Sequence, residues 1–129
     1  MLQKNIVAIG GGGFGRSLGN LMIEKYIISL VDLKKPSICF IPTASGDCDS
    51  YKLNFYRAFS KLNCNSTHID LFTRTENLEK KILNQDIIFV GGGNTKSMLA
   101  VWKEWGLDKI LKTAYEKGIV MSGVSAGAI

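Results

Sequence analysis

The sequence has few residues of the kinds that bind metals or cross-link a chain. It holds one histidine and three cysteines, Cys39, Cys48 and Cys64, without the paired spacing of a zinc site. The odd cysteine count and the lack of an apolar h-region before a cleavage site argue against export. We therefore expect free thiols, a cytoplasmic location, and neither a metal nor a cofactor.

Long apolar runs and clusters of positive charge are also absent. No stretch reaches the roughly 18 consecutive apolar residues of a membrane-spanning helix. The net charge of +5 comes from scattered lysines, and only Lys34–Lys35 and Lys80–Lys81 are adjacent pairs. A nucleic-acid-binding face would combine clustered basic residues with aromatic ones. We expect neither a membrane nor a nucleic acid as partner.

Short apolar runs alternate with amphipathic segments along the chain. Strands are predicted at 6–9, 38–41, 67–71, 87–90 and from 119 onward. Helices are predicted over 18–30, 50–62, 78–83, 96–105 and 107–117. Brief apolar strands between helices are typical of an open, mostly parallel sheet covered on both faces. The sequence therefore predicts one α/β domain over residues 1–129.

Glycine-rich or polar loops follow four of the predicted strands. These loops are 10–15, 42–49, 91–95 and 123–127. In open parallel sheets, ligands bind beyond the carboxyl ends of the strands, where such loops meet. The sequence therefore places its candidate site at that edge of the sheet.

The last loop matches the nucleophile elbow G-x-S-x-G over residues 123–127. Ser125 is the candidate nucleophile, because a sharp strand-to-helix turn would hold its hydroxyl clear of the backbone. The backbone N–H of Ala126 would then face the developing oxyanion. The alternative is a glycine-rich turn with a purely structural role.

The segment Gly91-Gly92-Gly93-Asn94-Thr95 also follows a strand and opens a helix. The backbone N–H of Gly93 could complete an oxyanion hole, and Gly92, Asn94 and Thr95 could contact substrate. Thr95 is expected to cap the helix, whose positive end favours negative charge. The alternative is a tight turn before an ordinary helix cap.

Three glycines of the first loop, Gly10, Gly12 and Gly15, match the dinucleotide fingerprint G-x-G-x-x-G. That fingerprint requires an acidic residue at the end of the second strand, and here Asp32 precedes that strand instead. Close backbone packing near the serine site is the better interpretation.

The remaining candidates favour structural roles. His68, the only histidine, lies in a predicted strand and is a poor candidate for the base that activates the serine. Asp47 and Asp49 could orient substrate, but capping of the following helix is favoured. Trp102 and Trp105 share one helix and are expected in a core or an interface.

Together these motifs resemble the S51 serine peptidases, the dipeptidase E and cyanophycinase group. The resemblance rests on Ile-Pro-Thr-Ala-Ser (41–45), Val-Gly-Gly-Gly-Asn-Thr (90–95), Gly-Val-Ser-Ala-Gly-Ala (123–128) and the opening Ile-Gly-Gly-Gly-Gly-Phe (9–14). It implies a three-layer sandwich similar to class I glutamine amidotransferases, which are flavodoxin-like. It also implies Ser125 as nucleophile, Gly93 and Ala126 as oxyanion donors, and short aspartyl peptides as substrates.

The chain departs from this family after the elbow. Members continue well beyond it and carry their catalytic histidine and acidic residue there, and neither maps onto this sequence. We therefore expect a C-terminally truncated member that is inactive alone and that self-associates or binds a partner through its incomplete edge. The alternative to a peptidase is a non-catalytic remnant that acts as an interaction module.

Overall fold

The computed structural model describes residues 3–14 and 19–128, which form one five-stranded sheet with helices on both faces. The strands are β1 (Ile6–Ile9), β2 (Ser37–Ile41), β3 (Asn65–His68), β4 (Ile87–Val90) and β5 (Val120–Val124). The helices are α1 (Met22–Ser29), α2 (Asp49–Phe59), α3 (Leu78–Leu83), α4 (Thr95–Trp105) and α5 (Leu107–Glu116). Short 3-10 helices cover Thr43–Ser45 and Ser125–Ala128.

The strand order is β1-β5-β4-β2-β3, and every neighbouring pair is parallel. Strands β5 and β4 are adjacent at the centre, with Val90 opposite Gly123. The loops that leave these two strands therefore emerge side by side at the carboxyl edge. The predicted fold class, a parallel α/β sheet between two helical layers, is confirmed.

Two apolar cores cover the two faces of the sheet. Under α1 and α2 lies an aromatic cluster of Phe14, Phe40, Phe55, Phe59 and Phe89, all fully or almost fully buried. On the other face, α3, α4 and α5 pack against the sheet. All four residues of β4 are buried, as expected for a central strand covered on both sides.

Phe14 anchors the first glycine loop, in which it directly follows Gly13. Its ring is 2% exposed and lies 5.1 Å from the ring of Phe89 and 5.5 Å from that of Phe40. Edge-on and tilted aromatic pairs of this kind stabilise beyond their buried area. The loop at Gly10–Gly13 is therefore held at both ends, by β1 before it and by Phe14 after it.

The third strand differs from its predicted bounds of 67–71. Register with β2 pairs Ser37 with Asn65 and Phe40 with His68, so the strand occupies Asn65–His68. Beyond His68 the chain leaves the sheet, although Ile69 and Leu71 remain buried and produced the apolar signal. Strand β3 is the last in the strand order, and alternate residues along it are exposed. Its sequence can therefore be polar, and the apolar pattern does not mark its bounds.

Other boundaries also differ, among them the starts of α1 and β5 and the end of α2, which is Phe59 where 62 was predicted. Helix α1 begins at Met22, because Asn20 Oδ1 accepts a hydrogen bond from the Met22 N–H at 3.1 Å; its predicted start at 18 lies outside the described residues. Strand β5 begins at Val120, because the N–H of Ile119 still bonds to Ala114 O at the end of α5. Gly15 of the fingerprint is likewise outside the described residues.

Among helices of the described ranges, none has the length and apolar character needed to cross a bilayer. Within the same ranges, no three histidine, cysteine, aspartate or glutamate residues are grouped so that they could hold a metal ion.

The Glu24 carboxylate on α1 is buried. It is 0% exposed, and neither oxygen has a hydrogen-bond partner in the described part of the chain. Burial raises the pKa of this carboxyl above its ordinary value of 4.5, because the charged form loses hydration. A raised folded-state pKa contributes stability below the unfolded pKa, and that contribution is lost as the pH rises through the folded value.

We therefore expect Glu24→Gln to increase stability at pH 8 by about 1 to 2 kcal/mol and to change it little at pH 4. Urea denaturation of both proteins at the two pH values measures the difference. A Glu24→Gln variant that is less stable than the parent at pH 8 would show that the Glu24 carboxylate has a stabilising partner.

Candidate active site

Ser125 occupies a strained turn at the end of β5. Its φ is +54°, in the left-handed region that L-residues seldom adopt, and it opens the 3-10 helix Ser125–Ala128. Such a conformation costs about 1 to 2 kcal/mol. Ser125 is exposed, whereas its neighbours Val124 and Ala126 are buried. The turn thus presents one hydroxyl to solvent from an otherwise buried segment.

Packing explains both glycines of the G-x-S-x-G motif. A Cβ at Gly123 would lie 2.0 Å from the carbonyl oxygen of Gly127, and a Cβ at Gly127 would lie 2.2 Å from that of Val90. No side chain fits at such distances from backbone atoms. The 3-10 helix can therefore fold back onto β5 and β4 only because both positions lack a side chain.

The loop after β4 lies directly beside Ser125. A Cβ at Gly92 would be 3.2 Å from Ser125 Cβ and 3.8 Å from Ser125 Oγ. Gly93 has a φ of +147°, and a Cβ there would lie 2.2 Å from Ala44 O. The next N–H, of Asn94, donates to the same Ala44 O at 2.7 Å. The loop at 42–49 therefore lies behind the glycine loop and fixes its position.

The hydrogen bonds of the loop after β4 show which of its residues can donate to a ligand and which caps α4. In the described ranges, the N–H of Gly93 has no hydrogen-bond acceptor, as an oxyanion donor requires. Asn94 Oδ1 accepts from Ser97 N at 2.9 Å, so Asn94 is the N-cap of α4. The expectation that Thr95 caps this helix was wrong, because Thr95 is already its first residue.

A cleft of about 400 Å³ opens above the Ser125 turn and the glycine loop that follows β4. It is lined by Gly10, Gly11, Gly12, Ser50, Tyr51, Asn54, Gly92, Gly93, Val124 and Ser125. Three of the four predicted loops thus meet at one cavity, together with the first turns of α2. None of these lining residues carries a charge.

Comparison with known proteins then identifies the family. A sequence model described as Peptidase family S51 matches residues 6–129. The chain belongs to peptidase family S51. This agrees with the resemblance found in the three glycine-containing motifs.

Two curated relatives show how much of an S51 protein this chain spans. It is 47% identical over 128 residues to the uncharacterized peptidase YgaJ of Bacillus subtilis, covering 98% of this chain and 56% of that protein. It is 31% identical over 104 residues to the uncharacterized peptidase Lin0382 of Listeria innocua, covering 76% of this chain and 48% of that protein. The chain spans about half the length of the curated relatives it matches.

Two solved structures share the fold. A putative peptidase E protein from Listeria monocytogenes superposes with a TM-score of 0.74 at 24% identity, covering 96% of this chain and 59% of that one. A peptidase from an acI-B1 actinobacterium superposes with a TM-score of 0.77 at 19% identity, covering 96% and 55%. At these identities the likeness concerns the fold.

Tyr51 is a cleft residue of the S51 chain that the sequence did not reveal. Its phenolic oxygen accepts a hydrogen bond from Gly92 N at 3.2 Å. Burial raises the pKa of the Tyr51 phenol, and the Gly92 hydrogen bond partly opposes that effect. The phenol therefore stays protonated at physiological pH. One sequence feature could have indicated that this part of α2 faces the cleft. The polar residues Ser50 and Asn54 are one helical turn apart and therefore lie close together on the surface of α2, next to Tyr51.

His68 lies far from Ser125 in the S51 chain. Strands β4 and β2 lie between β3 and β5, so the two strands are about 14 Å apart at the usual strand spacing. In the strand register His68 is level with Ser122, and Ser125 lies three residues further along the chain. The ring is engaged elsewhere, with Nδ1 2.6 Å from the hydroxyl of Tyr56 and Nε2 3.3 Å from Asp70 Oδ2. His68 is therefore not placed to activate Ser125.

The tryptophans have the structural roles expected of them. Trp102 Nε1 donates to the buried Thr43 Oγ1 at 3.1 Å, and Trp105 Nε1 donates to Leu71 O at 3.0 Å. Both bonds attach α4 to loops at the carboxyl edge of the sheet.

Asp47 joins two loops instead of capping α2. Its Oδ2 accepts from Leu71 N at 2.7 Å and from Phe72 N at 2.9 Å. Helix α2 has Cys48 at its N-cap position and no side-chain cap, so the preference for a capping role was wrong. Asp49 is exposed in the first turn and pairs with Lys52 Nζ at 3.1 Å.

We expect Asp47→Ala to lower the free energy of unfolding by about 2 to 3 kcal/mol, because two backbone N–H groups lose a charged acceptor. Asp49→Ala is the matched control and should cost less than about 0.5 kcal/mol, since exposed pairs contribute little. Chemical denaturation measures both. Equal small effects at the two positions would refute the bridging role of Asp47.

Proposed function

We propose that the chain carries the nucleophile and oxyanion hole of a serine-type peptidase, with Ser125 as the nucleophile. The observation that carries this proposal is the left-handed, exposed Ser125 between two buried residues, beside Gly92 and Gly93. Membership of peptidase family S51 supports the reaction class. A strained nucleophile at a strand-to-helix turn is the arrangement that serine hydrolases use.

In the proposed reaction, Ser125 Oγ attacks the carbonyl carbon of the scissile peptide bond and its proton passes to a general base. The carbonyl oxygen becomes negative and accepts hydrogen bonds from the N–H groups of Gly93 and Ala126. The C–N bond then breaks, the amine leaves with a proton, and water hydrolyses the acyl-serine. The N-terminus of α4 favours the same negative charge.

Gly92, Asn94 and Thr95 complete the proposed substrate-binding edge. Gly92 leaves room beside Ser125 Oγ because it has no side chain. Asn94 contributes indirectly, since its Oδ1 caps α4 and so holds the helix start in place. Thr95, the first residue of α4, borders the same edge.

The general base is proposed to come from outside the described residues. No histidine, aspartate, glutamate or lysine of the described ranges lines the cleft, and His68 is about three strand spacings away. The proposed substrates are short peptides, with an N-terminal aspartyl residue implied by the S51 resemblance. A cation that recognises such a residue would also have to come from elsewhere.

A second candidate function is an interaction module without catalysis. It is favoured by the lack of a general base among the described cleft residues and by an apolar groove of about 170 Å³ above β1 and β5. Its lining includes Ile6, which is 66% exposed, and Met121. In this proposal a second copy or another protein segment covers the groove.

Hydrolysis assays separate the two candidates. The 129-residue chain and any longer product of its gene, which is the complete protein where one exists, are incubated with aspartyl and alanyl dipeptides, alongside the Ser125→Ala variant. We expect hydrolysis of the aspartyl peptides by a form that contains the general base, and none by the 129-residue chain. Undiminished hydrolysis by Ser125→Ala would exclude Ser125 as nucleophile, and no hydrolysis by any of the three would favour the interaction module.

A further inference from the structure

We propose that Tyr51 and Asn54 of α2, facing the Gly10–Gly12 segment across the cleft, form a subsite for the uncharged main chain of the peptide substrate. In this subsite the Tyr51 hydroxyl donates to a substrate carbonyl. The inference deepens the proposed serine-peptidase function and rests on it. It concerns residues that take no part in bond cleavage.

The first argument is the hydrogen bonding of Tyr51. Its oxygen accepts from Gly92 N at 3.2 Å, which leaves the phenolic proton available as a donor. That proton has no acceptor in the described part of the chain. Because the phenol lines the cleft and stays protonated, an acceptor brought by a ligand can satisfy it.

The second argument is the wall formed by the first glycine loop. Gly10 and Gly11 have ordinary φ values, and a Cβ at either position would meet no described atom within 4 Å. Neither backbone conformation nor internal packing therefore requires glycine at these positions, in contrast to Gly123 and Gly127. Since both line the cleft, side chains there would occupy space above Ser125 that a substrate needs.

The third argument is the chemistry of the lining. Ser50, Tyr51 and Asn54 are neutral and polar, and the glycine segments expose main-chain groups. Such surroundings pair well with amide N–H and C=O groups and offer no partner for a charged side chain. The ligand chemistry of this part of the cleft is therefore that of a peptide main chain.

The test measures binding separately from catalysis. In the complete protein carrying Ser125→Ala, the affinity for an aspartyl-leucine dipeptide is measured by calorimetry, with and without Tyr51→Phe. We expect Tyr51→Phe to weaken binding about tenfold, as the loss of one hydrogen bond to a polar ligand does. In the active protein it should raise KM by a similar factor and leave kcat within about threefold.

Two further variants provide a matched pair. Gly11→Ala should weaken binding at least fivefold, because its methyl group enters the cleft. Gly19→Ala, at a position with an ordinary φ, no described atom within 4 Å of the added Cβ and no part in the cleft lining, should leave binding unchanged. Both should remain folded under the conditions of the binding measurement, with denaturant midpoints that change little.

Several results would overturn the subsite. A Tyr51→Phe variant that lowers kcat with an unchanged dissociation constant would mean that Tyr51 only positions the Gly92 loop. Unaltered binding in Gly11→Ala, or no dipeptide binding by the Ser125→Ala parent, would also contradict the proposal. Retained hydrolysis in Ser125→Ala is a separate result, which refutes the proposed function and leaves the binding measurements interpretable.

Discussion

Replacing Ser125 with glycine is expected to abolish hydrolysis by the complete protein and, at the same time, to raise its free energy of unfolding by about 1 kcal/mol. The catalytic loss should be on the order of 10⁴-fold or more in kcat, as for other serine nucleophiles. The gain in stability follows from the φ of +54° at Ser125, which glycine adopts without the steric cost that an L-residue bears. Part of that gain is offset by the larger conformational entropy of glycine in the unfolded chain.

Ser125→Ala is the matched control for this prediction. It removes the same hydroxyl and keeps a Cβ in the left-handed conformation, so hydrolysis should be lost without any gain in stability. Denaturant unfolding of the three proteins and their kcat values provide the comparison. Equal stability of the glycine and alanine variants would show that the turn at Ser125 is not strained.

Replacing Gly127 with alanine is expected to lower the free energy of unfolding by about 3 kcal/mol or more. The added Cβ would lie 2.2 Å from the carbonyl oxygen of Val90 and 3.0 Å from that of Gly91. These are backbone atoms of β4 and its loop, and β4 is hydrogen-bonded to a strand on each side, so they cannot move apart freely. Overpacking at sites that cannot relax commonly costs 1 to 3 kcal/mol, occasionally more.

Gly19→Ala controls for the intrinsic effect of the substitution. It has an ordinary φ and no described atom within 4 Å of the added Cβ, so its effect should stay within about 1 kcal/mol and can be stabilising. Urea denaturation of the two variants gives the difference directly. A Gly127→Ala protein as stable as Gly19→Ala would mean that the elbow does not pack against β4 as described.

The sequence predicted those features that depend on local pattern. The strands at 6–9 and 87–90 have the predicted bounds, because a continuous apolar run predicts a strand. Only 87–90 is a buried central strand, whereas 6–9 ends the strand order of the described sheet and is mostly exposed. The elbow at 123–127 was also predicted from a local pattern, its two glycines. A side chain at Gly123 would clash with Gly127 four positions later, and one at Gly127 would clash with Val90 of the adjacent strand β4. The meeting of three loops at one cleft followed from the alternation of strands and helices alone.

The features that were missed depend on contacts between distant segments. Tyr51 lies 41 positions from Gly92, and only the docking of α2 beside the β4 loop brings the two together. Asp47 was assigned to its nearest helix, whereas its partners are the N–H groups of Leu71 and Phe72. The shift of β3 to Asn65–His68 arose in the same way, because pairing with β2 decides its register.

Reaction with a fluorophosphonate, followed by mass spectrometry of the digested protein, is the most direct test of the central claim that Ser125 is an activated nucleophile. The account predicts one adduct per molecule of the complete protein, located on Ser125, and none on the Ser125→Ala variant. An adduct on another residue, or a complete protein that hydrolyses peptides and leaves Ser125 unmodified, would contradict it.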